Sequence, residues 1–279
     1  MLRNRNEARR QLWWFIGLAA ALSLPLYTVF LLLGGSVRES GGLIFVLMWV
    51  PALAAVILRL AHGELFRGAG VKALKLGIPR GRRGAVAAAC GLAALFPAAV
   101  GLASYGVTWM TGLASFTGTP GLPFLGAVLR AAVLGSLFGI PQVLGEEIGW
   151  RGYMSEKFSE AGYRAPCVLG GLIWAFWHTP LILSGQYAAG PFPAVSVLSF
   201  AVLMVALHCL WSHWTLHTGS VWPAVVGHGA WNTLIQFTFD GHTEGIRAAL
   251  WVGDSGIITV GITALLVFLV PAGLRWAVR

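Results

Sequence analysis

Residues 12–33 read LWWFIGLAAALSLPLYTVFLLL and carry no charged side chain. A helix needs about 20 mostly apolar residues to cross the hydrocarbon layer of a bilayer, and this run supplies them. The same criterion selects seven more stretches, residues 42–60, 85–108, 123–144, 166–183, 194–211, 221–239 and 257–274. A basic start followed by an apolar run is also the layout of a signal peptide. Here the run is too long for a signal's apolar region and no clear small-residue cleavage pattern follows, so it reads as a retained first membrane helix.

Composition agrees with the runs. The chain has 279 residues, 57% hydrophobic and 10% charged, against about 25% charged in ordinary globular proteins. So few charges cannot solvate a globule of this size, and lipid is the natural solvent for most of its surface. Disorder and fibrous repeats are excluded by the same figures. The net charge of +9 would suit nucleic acid only if the basic residues lined one contiguous face. Instead they sort by loop. With the N-terminus inside, the inner segments hold Arg3, Arg5, Arg9 and Arg10, then Arg67, Lys72, Lys75, Arg80, Arg82 and Arg83, then Arg151, Lys157 and Arg164, and last Arg275 and Arg279; the outer loops hold Arg38 and Arg247. This asymmetry predicts an all-α, multi-pass transmembrane bundle of about eight spans in the cell membrane, with both termini cytoplasmic. Its partner surface is anionic lipid, and nucleic acid drops out. The whole chain, 1–279, reads as one integral-membrane domain with a motif-bearing core over about 123–239.

Cys90, Cys167 and Cys209 lie in apolar stretches without metal spacing and read as small buried residues. Trp13, Trp14, Trp211 and Trp214 fall near predicted interfaces, where amphipathic rings belong. Gly135 and Gly139, four apart, offer a face for close helix approach. The loop over 61–83 reads as a solvated, lipid-facing segment. No internal repeat is evident, which disfavours a transporter of duplicated halves.

Ionisable groups inside spans are costly and mark function by default. Gly145-Glu146-Glu147-Ile148-Gly149-Trp150-Arg151 ends the fourth span. Trp174-Ala175-Phe176-Trp177-His178 lies in the fifth, and His228-Gly229-Ala230-Trp231-Asn232 in the seventh. Residues four apart share a helix face, so Glu147 pairs with Arg151 while Glu146, about 100° round, is left free. An isolated Glu and Arg at a helix end is more often a surface pair, and a lone His in a span often just bonds a neighbouring helix. Three polar tips on three spans exceed what packing needs. On straight helices their depths do not coincide, and Pro141 is placed to kink the fourth span just before the acids.

These motifs, in this order, resemble the CPBP family of membrane proteases, which includes type II CAAX prenyl endopeptidases and bacteriocin-processing or immunity-associated relatives. The family pattern EExxxR, FxxxH, HxxxN is matched except that Trp174 stands where Phe is usual. The resemblance implies an endopeptidase that cuts a peptide bond near the cytoplasmic face, of a substrate that in one branch of the family is prenylated. It implies Glu146 as the group that activates water, His178 as its assistant, His228 and Asn232 as oxyanion stabilisers, and Glu147, Arg151 and Trp174 as support. The chemistry agrees independently, because a carboxylate shielded from water is an improved base and donors aimed at a developing oxyanion are a large catalytic contribution. Two alternatives stand beside this reading. Glu146, His178 and His228 form a His2Glu set that zinc uses in catalytic sites, although metal-free catalysis is favoured because three helices without HExxH constrain zinc poorly. A non-catalytic scaffold or immunity-type protein could use the same cavity to bind a partner.

Other intramembrane protease motifs fail. No HExxH occurs. Gly253-Asp254-Ser255-Gly256 looks like the rhomboid GxSG, yet no histidine follows it, and it reads as a turn before the last span. Trp251-Val252-Gly253-Asp254 lacks the first glycine of GxGD. His208, His213 and His217 read as interface or loop residues, His62 and His242 as loop residues, and Arg130 as a side chain that snorkels to the outer interface or meets a neighbour's carbonyl.

Overall fold

The structure is a computed structural model and describes residues 2–34, 40–65 and 70–269. Arg38, Arg67, Arg275, Arg279 and residues 270–274 of the last predicted span lie outside the described residues. The first half of the chain forms α1 (Leu2–Leu33), α2 (Gly41–Ala61), the short α3 (Gly70–Ala73), α4 (Arg83–Met110), α5 (Leu122–Phe138) and α6 (Ile140–Glu147). The second half forms α7 (Ser155–Ala161), α8 (Pro166–Leu183), α9 (Pro193–Thr218), α10 (Trp222–Trp231), the short α11 (Ala248–Trp251) and α12 (Ile257–Leu269). Strands β1 (Ser115–Phe116) and β2 (Thr243–Glu244) pair antiparallel and clasp one end of the bundle.

Among the described residues, five helices are long and apolar enough to cross a bilayer: Asn4–Leu33, Gly41–Ala61, Arg83–Met110, Pro166–Leu183 and Pro193–Thr218. Leu122–Phe138 and Ile140–Ala161 pass the same test only together and meet at 61°, as a broken span or a re-entrant loop does. Large apolar side chains on these helices point outward, among them Leu32, Phe138 and Phe176, each more than three-quarters exposed. Such a surface needs lipid, and the chain is an integral membrane protein. The two remaining predicted spans, 221–239 and 257–274, differ from the others in form. The first is α10 continued by a π-helical stretch, Asn232–Phe239, and the second is α12, with 13 described residues.

One end of the bundle gathers the basic residues. Lys75 reaches Glu156 at 2.7 Å, Arg59 lies 3.6 Å from Glu156, and Lys157 lies 3.6 Å from Glu64. These pairs tie the end of α2 and the loop after it to α7. That loop is therefore not simply solvated: Val221 N donates to Lys75 O and Trp222 Nε1 to Leu76 O, docking it on the start of α10. The cysteine reading is also corrected. Cys167 and Cys209, both buried, are joined in a disulfide between α8 and α9, and Cys90 is free.

Close backbone approach places α6. A Cβ at Gly145 would meet Met48 O and Trp49 Cα at 2.6 Å, and one at Gly139 would meet Gly229 Cα at 2.9 Å. The missing side chains thus let α6 lie directly on α2 while the α5/α6 break lies directly on α10. Gly135, one turn before Gly139, faces Thr233 in the same contact, so this pair of glycines does form the predicted small-residue face. The bend falls at Gly139, two residues before Pro141, and turns the following helix inward with its acids.

Candidate active site

Glu146 is carried by α6, His178 by α8, His228 by α10 and Asn232 by the first position of the π-helical stretch after it. All four line one cavity of about 70 Å³, together with Gln142, Tyr187 and Gln236. The depth mismatch expected of straight helices is removed by the 61° bend. π-Helical turns often sit at functional sites, and two of those among the described residues do. Ile148–Met154 begins just after the acid pair and Asn232–Phe239 just after His228.

Glu146 is 1% exposed, and its Oε2 accepts a hydrogen bond of 2.7 Å from Trp174 Nε1. Glu146 is thus not the free carboxylate that helical spacing alone suggests. One oxygen is held and the other is left for the cavity. Trp174, expected as support, is a hydrogen-bond donor to the acid.

Glu147 does pair with Arg151, Nη1 to Oε1 at 3.0 Å, and both are completely buried. The same Oε1 accepts from His228 Nδ1 at 2.7 Å, a contact that joins residues 81 apart in sequence. The guanidinium of Arg151 lies 3.8 Å from the ring centroid of Trp174 and 4.9 Å from that of Trp211. Arg151 Nε and Nη2 have no hydrogen-bond acceptor among the described residues, so the indole faces supply the negative potential that acceptors would. Trp211 was expected at the membrane interface. It is instead 1% exposed and stacks on His228, with centroids 5.1 Å apart.

The histidine tautomers follow from their partners. His178 Nδ1 lies 2.9 Å from the carbonyl oxygen of Trp174, which can only accept, so Nδ1 carries hydrogen and Nε2 of the neutral ring is a bare acceptor. Likewise His228 Nδ1 donates to Glu147.

A second cavity of about 420 Å³ lies on the far side of Tyr187 and Gln236, which line both. It contains Asp254, the acid of the Gly253-Asp254-Ser255-Gly256 turn. The turn reading holds, since α12 begins directly after it. Its acid, however, is 6% exposed and accepts from Trp231 Nε1 at 2.8 Å, Gln236 Nε2 at 2.8 Å and Tyr187 Oη at 3.1 Å. Burial raises the Asp254 carboxyl above the usual carboxylate range, against the pull of these donors. Tyr187, Gln236 and Asp254 were not singled out from sequence. Gln236, four residues after Asn232 on the same helical run, was the available signal.

His208 sits in the core at 0% exposure, with Nε2 3.4 Å from Ser155 Oγ, rather than at an interface. His213 and His217 stack at 5.9 Å. Among the described residues, no three His, Cys, Asp or Glu side chains are set to hold one metal ion.

The class is defined at this point: a multi-pass helical membrane protein that encloses an acid, two imidazoles and a carboxamide around one small cavity. Residues 128–234 match the family model described as Type II CAAX prenyl endopeptidase Rce1-like, and the match places this motif-bearing segment in the CPBP family of intramembrane proteases. No curated protein sequence matches the chain.

Proposed function

We propose that this protein is an intramembrane endopeptidase that works without a metal and cuts a peptide bond near the cytoplasmic face. The observation that carries the reading is the single cavity shared by Glu146, His178, His228 and Asn232. The basic end of the bundle is taken as cytoplasmic, with eight traverses of the cell membrane, because that arrangement follows the positive-inside rule.

In this reading a water lies between the uncommitted oxygen of Glu146 and Nε2 of His178, both acceptors. Glu146 takes one proton as the water oxygen bonds to the substrate carbonyl carbon. The carbonyl π pair moves to oxygen, and the resulting oxyanion faces Asn232 Nδ2 and His228 Nε2. His228 donates there only as imidazolium, because its Nδ1 hydrogen is already committed to Glu147. Glu146, Glu147, Arg151 and such an imidazolium sum to zero charge, which suits a site shielded from water. Collapse of the oxyanion breaks the C–N bond, and Glu146 returns its proton to the leaving amine. The products are a carboxylic acid and an amine, with no co-reactant besides water.

Prenylated proteins ending in Cys-aliphatic-aliphatic-X are the proposed substrate class, supported by the description of the matched family. The test is Glu146→Gln, whose carbonyl oxygen can still accept from Trp174 while the base is gone. Cleavage of an internally quenched, farnesylated peptide of that form is expected to disappear at unchanged melting temperature. Cleavage at the wild-type rate overturns the reading.

A further inference from the structure

The carboxamide of Asn232 has a donor end and an acceptor end, and a half turn of the side chain exchanges them. An oxyanion needs the N–H end, since the carbonyl end would meet it with like charge. The choice is fixed by Gln236, which lines the cavity beside Asn232. The deciding contacts lie one helical turn away, on the wall between the two cavities.

Gln236 Nε2 lies 2.8 Å from Asp254 Oδ2 and 3.3 Å from Asn232 Oδ1, with Tyr187 Oη also at 3.3 Å. A carboxylate only accepts, so Asp254 fixes which way the Gln236 amide faces. Asp254 is itself held from two other sides, by Trp231 Nε1 on Oδ1 and Tyr187 Oη on Oδ2. With one N–H of Gln236 on the acid, the other reaches the Asn232 carbonyl oxygen. The acceptor end of Asn232 is thereby occupied by Gln236 at the cavity wall, and its N–H end is left for the reacting oxygen.

We propose that Gln236, anchored by Asp254, is a positioning residue that sets the polarity of Asn232, so that its N–H and not its carbonyl faces the reacting oxygen. The inference rests on the proteolytic reading above.

The test inverts the hydrogen-bond polarity. Gln236→Glu places acceptors against both Asp254 and Asn232. It is expected to lower kcat by about 100-fold, the scale of losing one oxyanion donor, with KM nearly unchanged, and to lower the melting temperature by juxtaposing two acids. The double variant Gln236→Glu/Asp254→Asn restores the contact, because the new amide at 254 donates to the new carboxylate at 236. Its melting temperature should recover while kcat stays about 100-fold low, because the carboxylate still draws the N–H of Asn232 away from the cavity. A purely structural role predicts that kcat recovers together with stability, and that result overturns the proposal. If the single variant does not fold, the double carries the test alone. Glu146→Gln separates the failures. If Glu146→Gln is inactive while the double variant cleaves at the wild-type rate, the positioning role alone falls. If Glu146→Gln cleaves normally, the proteolytic reading and the positioning role fall together.

Discussion

Trp174 Nε1 donates to Glu146 Oε2 at 2.7 Å, and each residue is 1% exposed. The indole also covers the guanidinium of Arg151 at 3.8 Å from its ring centroid, so one side chain serves both the acid and the cation of the site. Trp174→Phe keeps an aromatic face and removes the donor. A buried acceptor left without its partner costs about 1–3 kcal/mol, and a carboxylate free to change rotamer loses the aligned geometry that hydrolysis needs. The variant should melt lower than wild type and show a kcat reduced by about tenfold, read from thermal unfolding in detergent and from peptide cleavage. An unchanged melting temperature would show that the hydrogen bond contributes nothing.

Arg151 and Glu147 are a buried pair, each at 0% side-chain exposure, with His228 as a third member. Removing one partner of such a pair leaves an uncompensated charge and typically costs about 3–5 kcal/mol, whereas removing both charges is far cheaper. Arg151→Met is expected to destabilise strongly, and Glu147→Gln/Arg151→Met to be more stable than Arg151→Met alone. Chemical denaturation of the three proteins checks the order. Additive losses in the double variant would mean that the pair is held by packing and not by charge.

Asp254 gives stability a pH dependence of definite sign. Burial raises its carboxyl in the folded protein, while the unfolded chain titrates at about 3.9. Below that value both states hold the proton and the residue has no effect. As pH rises past it, the unfolded chain gives up its proton before the folded one does, so stability falls until the raised folded value is passed and is level thereafter. Asp254→Asn does not titrate. The gap between its melting temperature and that of wild type should shift in favour of the variant as pH rises from about 4 towards neutrality. A gap constant with pH would refute this assignment.

The spans and the helical pairs were legible in the sequence because both are local. Apolar length, which counts eight spans, shows the five membrane-length helices and the bent pair among the described residues, and four-residue spacing shows Glu147 with Arg151. What escaped is what joins distant segments. His228 meets Glu147 across 81 residues, and Cys167 meets Cys209 across 42 with no motif in either neighbourhood. Trp211 looked interfacial because it lies near the end of an apolar run, yet α10 packs over it and makes it a floor for His228. The inward turn of α6 depends on glycine contacts with α2 and α10, and these exist only once three helices are assembled. Asp254 was hidden for a further reason: in sequence it is one more acid in a glycine turn, and only the indole, phenol and carboxamide around it make it a buried anchor.

The proposed catalysis by Glu146 without a metal carries a prediction of its own. Zinc would require Glu146, His178 and His228 to reach about 2.0–2.2 Å from one point, and no three such side chains among the described residues are set that way. Trp174 already holds one oxygen of Glu146. His228, in the role proposed for it, is an imidazolium with both nitrogens protonated and no lone pair for a metal. Protein treated with 1,10-phenanthroline and then desalted should therefore cleave the farnesylated peptide at its original rate, contain far less than one zinc per chain, and gain nothing from added zinc. Activity lost on chelation and regained with one bound zinc per chain would transfer the activation of water from Glu146 to the metal, and the imidazolium assigned to His228 would have to be given up with it.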